Sequence, residues 1–212
     1  MSTVELEAAM CESVLNIIYK VSLERGYSCY KAIMAQAMCE SGWCRSSLAN
    51  KYYNFFGMKC GSSWKGKSVN MTTKEEYTAG TLTTIKDNFR VYDTIENGIN
   101  GYFNFIESYS RYSNLKEAKS DEEYIQLLKK DGWATSSTYV KTLTNILNGD
   151  TLKSMIKAIN VTSSEIEKEN IISNAEKAIA KEVIAGKYGN GTARKENLYN
   201  SIQAAVNDTL KG

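Results

Sequence analysis

Apolar residues recur at helical spacing through most of the first 150 positions. Ser2-Thr3-Val4-Glu5 has the spacing of a capping box, and Leu6, Met10, Val14, Ile17 and Val21 form a stripe that predicts a helix to about Leu23. Gly26 ends it. Ser28 is placed to cap a second helix, in which Tyr30, Ile33, Met34, Ala37 and Met38 follow the i, i+3, i+4 rule for one apolar face. Gly42 suits the position just past its last turn. Ser46 to Tyr53 reads as a short helix or turn, followed by the aromatic, glycine-punctuated run Asn54-Phe55-Phe56-Gly57-Met58-Lys59. From about Lys67 to Tyr92 the period changes. Val69, Met71, Thr73, Thr83, Ile85, Phe89 and Val91 are strand formers, and Thr78-Ala79-Gly80-Thr81 offers a turn between them, which predicts a hairpin. Helices resume after Thr94 (Ile99, Tyr102, Phe103 and Ile106 inward), from Asp121 through Leu128, and around Tyr139, Val140, Leu143, Ile146 and Leu147. The pattern predicts a mainly α, α+β unit with one small β-hairpin lobe.

Periodicity lapses after Leu152, and Glu165-Ile166-Glu167-Lys168-Glu169-Asn170 is strongly polar. A linker is expected over 159–170. Beyond it, Ala175, Ala178, Ile179, Glu182 and Val183 mark a short helix that stops at Gly186. Lys187-Tyr188-Gly189-Asn190-Gly191 reads as a turn, Thr192 can cap a second helix, and Ile202, Val206 and Leu210 suit a third. The expected organisation is a domain over 1–158, a linker over 159–170, and a small three-helix bundle over 171–212. A bundle of that size is marginal, so sensitivity to truncation is expected.

Composition narrows the chemistry. The 212 residues carry 26 lysines and arginines against 24 acids, so net charge makes no argument for nucleic acid or membrane partners. There is no histidine, which removes the commonest metal ligand and the usual Ser/His and Cys/His pairs; no metal or other cofactor is expected. The five cysteines (Cys11, Cys29, Cys39, Cys44, Cys60) are odd in number and form no C-x-x-C pair, so they signal neither a disulfide framework nor zinc. Small thiols in a reducing compartment are expected, although Cys39 and Cys44 flank Glu40 and leave a redox reading open. Met1-Ser2-Thr3-Val4-Glu5-Leu6-Glu7 lacks a basic segment followed by an apolar core, and no apolar run reaches membrane-spanning length. Synthesis in the cytoplasm without a signal peptide is expected, with release by some other agent if the protein works outside. A monomer is the default.

With histidine excluded, acid–base work falls to carboxylates, and Glu40 is the leading candidate. On a helical wheel it lies at the margin of the second helix's apolar face, within about 20° of Ile33 and one turn beyond Ala37. Partial desolvation and the negative end of the helix dipole would both raise its pKa, as a general acid needs. The alternative is an exposed glutamate in the last turn. A glycosidase usually needs a second carboxylate, and the hairpin offers Glu75 and Glu76. Neighbours in a strand face opposite sides, so only one of them can enter a cleft, and both could simply be a solvated edge. Trp43, Tyr52, Tyr53, Phe55, Phe56, Trp64 and Tyr77 supply rings for sugar stacking or for an aromatic core.

These residues resemble a known family. Ala35-Gln36-Ala37-Met38-Cys39-Glu40-Ser41-Gly42-Trp43, Asn54-Phe55-Phe56-Gly57-Met58-Lys59, Trp64-Lys65-Gly66, Thr73-Lys74-Glu75-Glu76-Tyr77-Thr78-Ala79-Gly80 and Phe89-Arg90-Val91-Tyr92 are similar, in order, to glycoside hydrolase family 73. Those are peptidoglycan β-N-acetylglucosaminidases with a lysozyme-like fold. The resemblance implies that fold for about residues 10–150, Glu40 as general acid, and Glu76, directly before the Tyr of a Glu-Tyr-x-x-Gly motif, as second carboxylate. It implies substrate contacts at Phe56, Trp64, Tyr77, Tyr92, Trp133 and Tyr139, with packing an equal alternative for Tyr139. Cys39 and Cys44 depart from the family pattern without bearing on the chemistry. Gly132-Trp133-Ala134-Thr135 stands where members often carry Tyr-Ala-Thr; an indole stacks and donates one N–H but is no phenolic acid, so Trp133 carries over as substrate-binding only.

The tail resembles the short cell-wall-binding repeat at the C-terminus of some phage lysozymes, through Ile179–Arg194 and Ile202-Gln203-Ala204-Ala205-Val206-Asn207. That resemblance implies wall contacts at Tyr188, Gly189, Asn190, Gly191 and Arg194, the last pairing with a peptide carboxylate. The segment between Leu198 and Ile202 is shorter than in the usual repeat, so the second and third helices are expected to meet differently. Together the two resemblances imply a phage-type endolysin acting on bacterial peptidoglycan. Its rivals are a muramidase or lytic transglycosylase, which also uses a lysozyme-like Glu, and a non-catalytic wall-binding virion protein.

Overall fold

The computed structural model of the chain describes the backbone of residues 3–78 and 81–209, and the side chains of residues 5–73, 83–159 and 177–204. The chain divides into two units, Met1–Ile159 and Asn160–Gly212.

The first unit is built around α2 (Tyr30–Ser41). A single apolar face was expected, yet Ala32 through Met38 are all buried, because α1 (Thr3–Glu24), α5 (Asp121–Lys130) and α6 (Tyr139–Asn148) pack around it. Alanines at 32, 35 and 37 let those neighbours approach on every side. The polar member of the run, Gln36, accepts a hydrogen bond from the Tyr102 hydroxyl at 2.8 Å, and Tyr102 in turn meets Tyr124 at 2.6 Å. The start of α2 also differs from expectation. Ser28 does not cap it; the Ala32 amide donates instead to Asp121 Oδ1 at 2.9 Å, so the cap comes from α5. Gly42, at φ 58°, closes the other end, with the Trp43 amide bonding back to Met38.

Helix α1 spans the predicted range and buries Val14 and Val21 of the predicted stripe, with the face rotated somewhat from it. Cys11, Val14, Leu15, Ile18, Val21 and Ser22 are buried, whereas Leu6 and Leu23 are 55% and 51% exposed. The buried stripe is displaced toward Leu15 and Ile18, and Met10 and Ile17 fall at its margin. Helix α3 (Ser47–Tyr52) is capped by the Ser46 hydroxyl, and α4 (Ile95–Ser108) by Thr94. A β-carbon on Gly98 of α4 would overlap the Tyr53 carbonyl oxygen, so α4 sits against the end of the α3 segment as only glycine permits. A 3-10 helix, Ser110–Glu117, leads into α5.

The hairpin pairs β1 (Ser68–Thr78) with β2 (Thr81–Arg90), antiparallel from Ser68↔Arg90 to Glu75↔Thr83. The register shifts between Glu75 and Thr78, where β1 carries one residue more than β2. The base of the hairpin is tied to the Asn54–Lys59 run. Arg90 and Cys60 amides donate to Met58 and Asn88 carbonyls, and buried Asn54 donates from Nδ2 to the Met58 and Arg90 carbonyls while accepting from the Met58 amide.

Helix α7 (Asp150–Ile184) buries Leu152, Ile156 and Ile159 at its start. Its backbone stays helical through 159–170, the stretch expected as a linker; polar side chains do not break a helix that lacks Gly and Pro. In the second unit α7 is followed by a turn and α8 (Gly191–Thr209). The second and third short helices expected there are one continuous helix, since nothing between Leu198 and Ile202 interrupts it. The turn is internally braced. Arg194 donates from Nε to Gly189 O at 2.9 Å and from a terminal nitrogen to Asn190 Oδ1 at 2.7 Å. Buried Tyr188 donates to Glu182, which also pairs with Lys187 at 2.7 Å.

Candidate active site

Glu40 lies in the last turn of α2, where the helix emerges from the core into a cleft of about 1210 Å³. It is lined by the Phe56–Gly61 loop, by Met71, Thr72 and Thr73 of β1, and by Phe105, the start of the 3-10 helix and the Gly132–Ser136 loop. Glu40 is half-buried, as the helical wheel suggested. Its Oε1 accepts two hydrogen bonds, from the Trp133 indole N–H at 3.2 Å and from the Tyr139 hydroxyl at 2.9 Å. Its Oε2 is on the Gly57 side, 3.5 Å from where a β-carbon at that glycine would stand. Two donors on one oxygen fix the carboxyl rotamer and assign the proton of the acid form to the other oxygen, toward the cleft.

Tyr139 is a dependable donor. Burial first, then the neighbouring Glu40 charge and hydrogen bond, push its phenol well above the ordinary range, so it stays protonated at neutral pH. Of its two expected roles, packing or a site contact, the structure shows it touching the acid directly. Trp133 does more than line the cleft, since its N–H also orients Glu40. It is itself held by edge contacts with Tyr102 and Phe105 at 5.4 and 5.8 Å and a tilted contact with Tyr112 at 6.0 Å. Cys39, beside the acid, is pushed up to about 11 by burial and then by Glu40, so it is a neutral thiol in the cleft lining. All five cysteines are free.

Phe56 reaches the cleft lining but stacks its ring on Tyr102 at 3.9 Å, joining site to core. Trp64 and Tyr92 are elsewhere. They pack on one another at 5.7 Å, Trp64 covers Gly66 and donates to Lys67 O at 2.9 Å, Tyr92 covers Gly101, and neither lines the cleft. Gly66 and Gly101 leave room for the two rings at close range. The side chains of Glu76 and Tyr77 lie outside the described residues; their backbone is in β1, within the register shift.

Sequence reasoning passed over several groups that build the walls. Arg90 is nearly buried, its guanidinium 4.6 Å from the Trp64 ring and 5.1 Å from that of Phe105, with Nε donating to Lys59 O. Phe105, Tyr109, Arg111 and Tyr112 also line the cleft. Phe105 was the legible one, since it sits beside the inward face of α4; the others belong to a 3-10 turn without periodicity.

Comparison with known proteins fits this arrangement. Residues 17–152 match the glucosaminidase family model, described as mannosyl-glycoprotein endo-beta-N-acetylglucosaminidase. The chain belongs to the glucosaminidase family. Among relatives of this family, the peptidoglycan hydrolase FlgJ of Escherichia coli (strain K12) is 33% identical over 136 residues, 62% of this chain and 42% of that one. The exo-glucosaminidase LytG of Bacillus subtilis (strain 168) is 30% identical over 142 residues, 62% of this chain and 49% of that one. The chain thus spans less than half the length of these relatives. A crystal structure of a peptidoglycan hydrolase mutant from Sphingomonas sp. A1 superposes with a TM-score of 0.64 at 28% identity, covering 71% of this chain and 98% of that one. The glucosaminidase fold, mostly helical with a small two-stranded sheet, is therefore the fold of the first unit. Residues 177–210 match the CW_7 repeat.

Proposed function

We propose that this glucosaminidase is a peptidoglycan hydrolase that cleaves the β-1,4 bond following N-acetylglucosamine, and that it works as an endolysin. The observation that carries this reading is Glu40, held by Trp133 and Tyr139 at the base of a long cleft in a glucosaminidase fold. The relatives named peptidoglycan hydrolase support the substrate class, and the CW_7 match beside the catalytic unit supports a protein that binds the wall it cuts.

Glu40 protonates the leaving oxygen from Oε2 while its two donors keep Oε1 in place. Glu76, brought by β1, supplies the second carboxylate. It acts either as base for the attacking water or by supporting assistance from the substrate's own N-acetyl group, and the product anomer distinguishes the two: inversion for the first, retention for the second. Phe56 and Trp133 face the sugar. The domains divide the work as 1–158 for cleavage and 171–212 for wall attachment, with Tyr188, Gly189, Asn190, Gly191 and the Asn190-braced Arg194 at the wall-binding turn. Arg194 already holds that turn together, so its part in wall contact is to shape the loop as well as to offer charge. The enzyme reaches the wall after release from the cell that makes it.

The test is reducing-end analysis of purified walls after digestion. New N-acetylglucosamine ends are expected, and Glu40→Gln should lower their release by at least about a thousandfold while sedimentation with walls persists. New N-acetylmuramic acid or anhydro ends would move the assignment to a muramidase or a lytic transglycosylase. Undiminished release by the variant would remove Glu40 from the mechanism.

A further inference from the structure

The described cleft lining carries four charged side chains, Glu40 and the cations Lys59, Arg90 and Arg111. Two of the cations have work elsewhere. Lys59 pairs with Asp87 at 3.1 Å, and Arg90 is nearly buried between two rings. Arg111 differs. It is exposed, and it has no carboxylate partner among the described residues. Its guanidinium is nonetheless placed, lying 4.6 Å from the Tyr112 ring and 5.5 Å from that of Tyr109. Both rings also line the cleft. The Arg111 side chain also hydrogen-bonds Tyr112. A long cation laid across two aromatic faces and held by that bond loses little further entropy when its remaining N–H groups take an anion.

Arg111 lines the same cleft as the acid and is linked to it through ring contacts. Tyr112 beneath it is buried against Trp133, and the Trp133 N–H donates to Glu40. An anion bound at Arg111 would therefore lie in the same cleft as the scissile bond. We propose that Arg111, presented by Tyr109 and Tyr112, is a specificity subsite for a carboxylate carried by the glycan's side substituent. This rests on the hydrolase reading above and goes beyond it. The subsite selects glycan strands bearing lactyl or peptide carboxylates over uncharged N-acetylglucosamine polymers, which have no anion to offer.

The experiment is a cycle in which either side of the contact is neutralised. Initial rates are measured for wild type and Arg111→Gln on native peptidoglycan and on peptidoglycan whose carboxylates have been converted to methylamides. Wild type should lose roughly five- to tenfold in kcat/KM on the amidated substrate, and the variant should lose the same amount on the native one. The two losses should not add, and Arg111→Lys should restore part of the rate on native substrate only. Additive losses, or an equal loss by the variant on both substrates, would show a structural role and overturn the inference. Wild-type inactivity on both substrates would instead bring down the hydrolase reading, and this inference with it. Amidase treatment removes the peptide and frees the lactyl carboxylate, which the peptide otherwise holds as a neutral amide. If Arg111 discriminates on stripped strands, the lactyl group of peptide-free sugars is an anion the subsite accepts, and if it discriminates on intact strands alone, the anion is on the peptide.

Discussion

At the scale of single residues, the site turns on what each donor does for Glu40. Tyr139 and Trp133 bond the same oxygen but differ in what else they support. The Tyr139 ring is buried and its hydroxyl is spent on Glu40, so Tyr139→Phe removes one hydrogen bond and little packing. Loss of roughly tenfold in kcat is expected, with KM and melting temperature close to wild type, as read by steady-state kinetics and a thermal melt. Trp133→Phe removes the other donor and also part of the packing with Tyr102, Phe105 and Tyr112. It should show a similar fall in kcat together with a stability loss of about 1–3 kcal/mol. A Tyr139 variant with unchanged kcat would mean that Trp133 alone sets the carboxyl rotamer.

At the scale of elements, the two ends of α2 carry different predictions. Its start depends on Asp121 of α5, whose carboxyl is raised above the ordinary value of 3.8, by burial first and against the Ala32 hydrogen bond. Because the folded-state pKa is the higher one, folding favours the protonated form. The stabilisation this group contributes is complete below 3.8 and is lost as pH rises through the raised value. Asp121→Asn keeps an acceptor for Ala32 without a titrating charge, so the melting difference between it and wild type should shift in its favour as pH climbs from about 3 to 7. Asp121→Ala should cost about 1–2 kcal/mol across that range. A flat difference for the Asn variant would show that burial of Asp121 carries no energetic weight. In α4, Gly98→Ala drives a methyl into the Tyr53 carbonyl and should cost about 2–4 kcal/mol, seen as a lower denaturation midpoint.

These same elements show how far the sequence could be read. Periodicity located α1, α2, α4, α5 and α6 and the hairpin, because each segment's local pattern agrees with its element. It found most of the α1 face but missed Leu15 and Ile18, and it gave α2 one apolar side, since a wheel cannot register that three neighbours surround a helix. Ser28 looked like a cap because local spacing was the only information, whereas the actual acceptor is 89 residues away from Ala32. The site divides the same way. Glu40 at the margin of a face was legible, but its donors stand 93 and 99 residues downstream, beyond the reach of any pattern. Trp64 and Tyr92 were picked out as aromatics in the right motifs, and the structure adds their contact with one another and with Gly66 and Gly101.

At the scale of the whole molecule, the question is what residues 160–212 add. The core of the first unit includes Leu152, Ile156 and Ile159 from the first turns of α7, so the cut that respects packing falls just after Ile159, not earlier. A chain ending at Asn160 keeps every core side chain of that unit and loses the segment matching the CW_7 repeat. If that segment serves attachment, the shortened enzyme should hydrolyse soluble glycan fragments within about twofold of the full rate, because the described residues that line the cleft all lie before Asn160. On intact walls it should fall by about tenfold or more, since the second contact multiplies the local concentration of the first. It should also stop sedimenting with walls, while Glu40→Gln in the full chain sediments normally without cutting. A shortened chain that clears walls as fast as the full one would leave the C-terminal unit without a part in attachment. A chain cut before Ile156 should lose stability as well as wall activity, because the cut then removes buried side chains from the catalytic core.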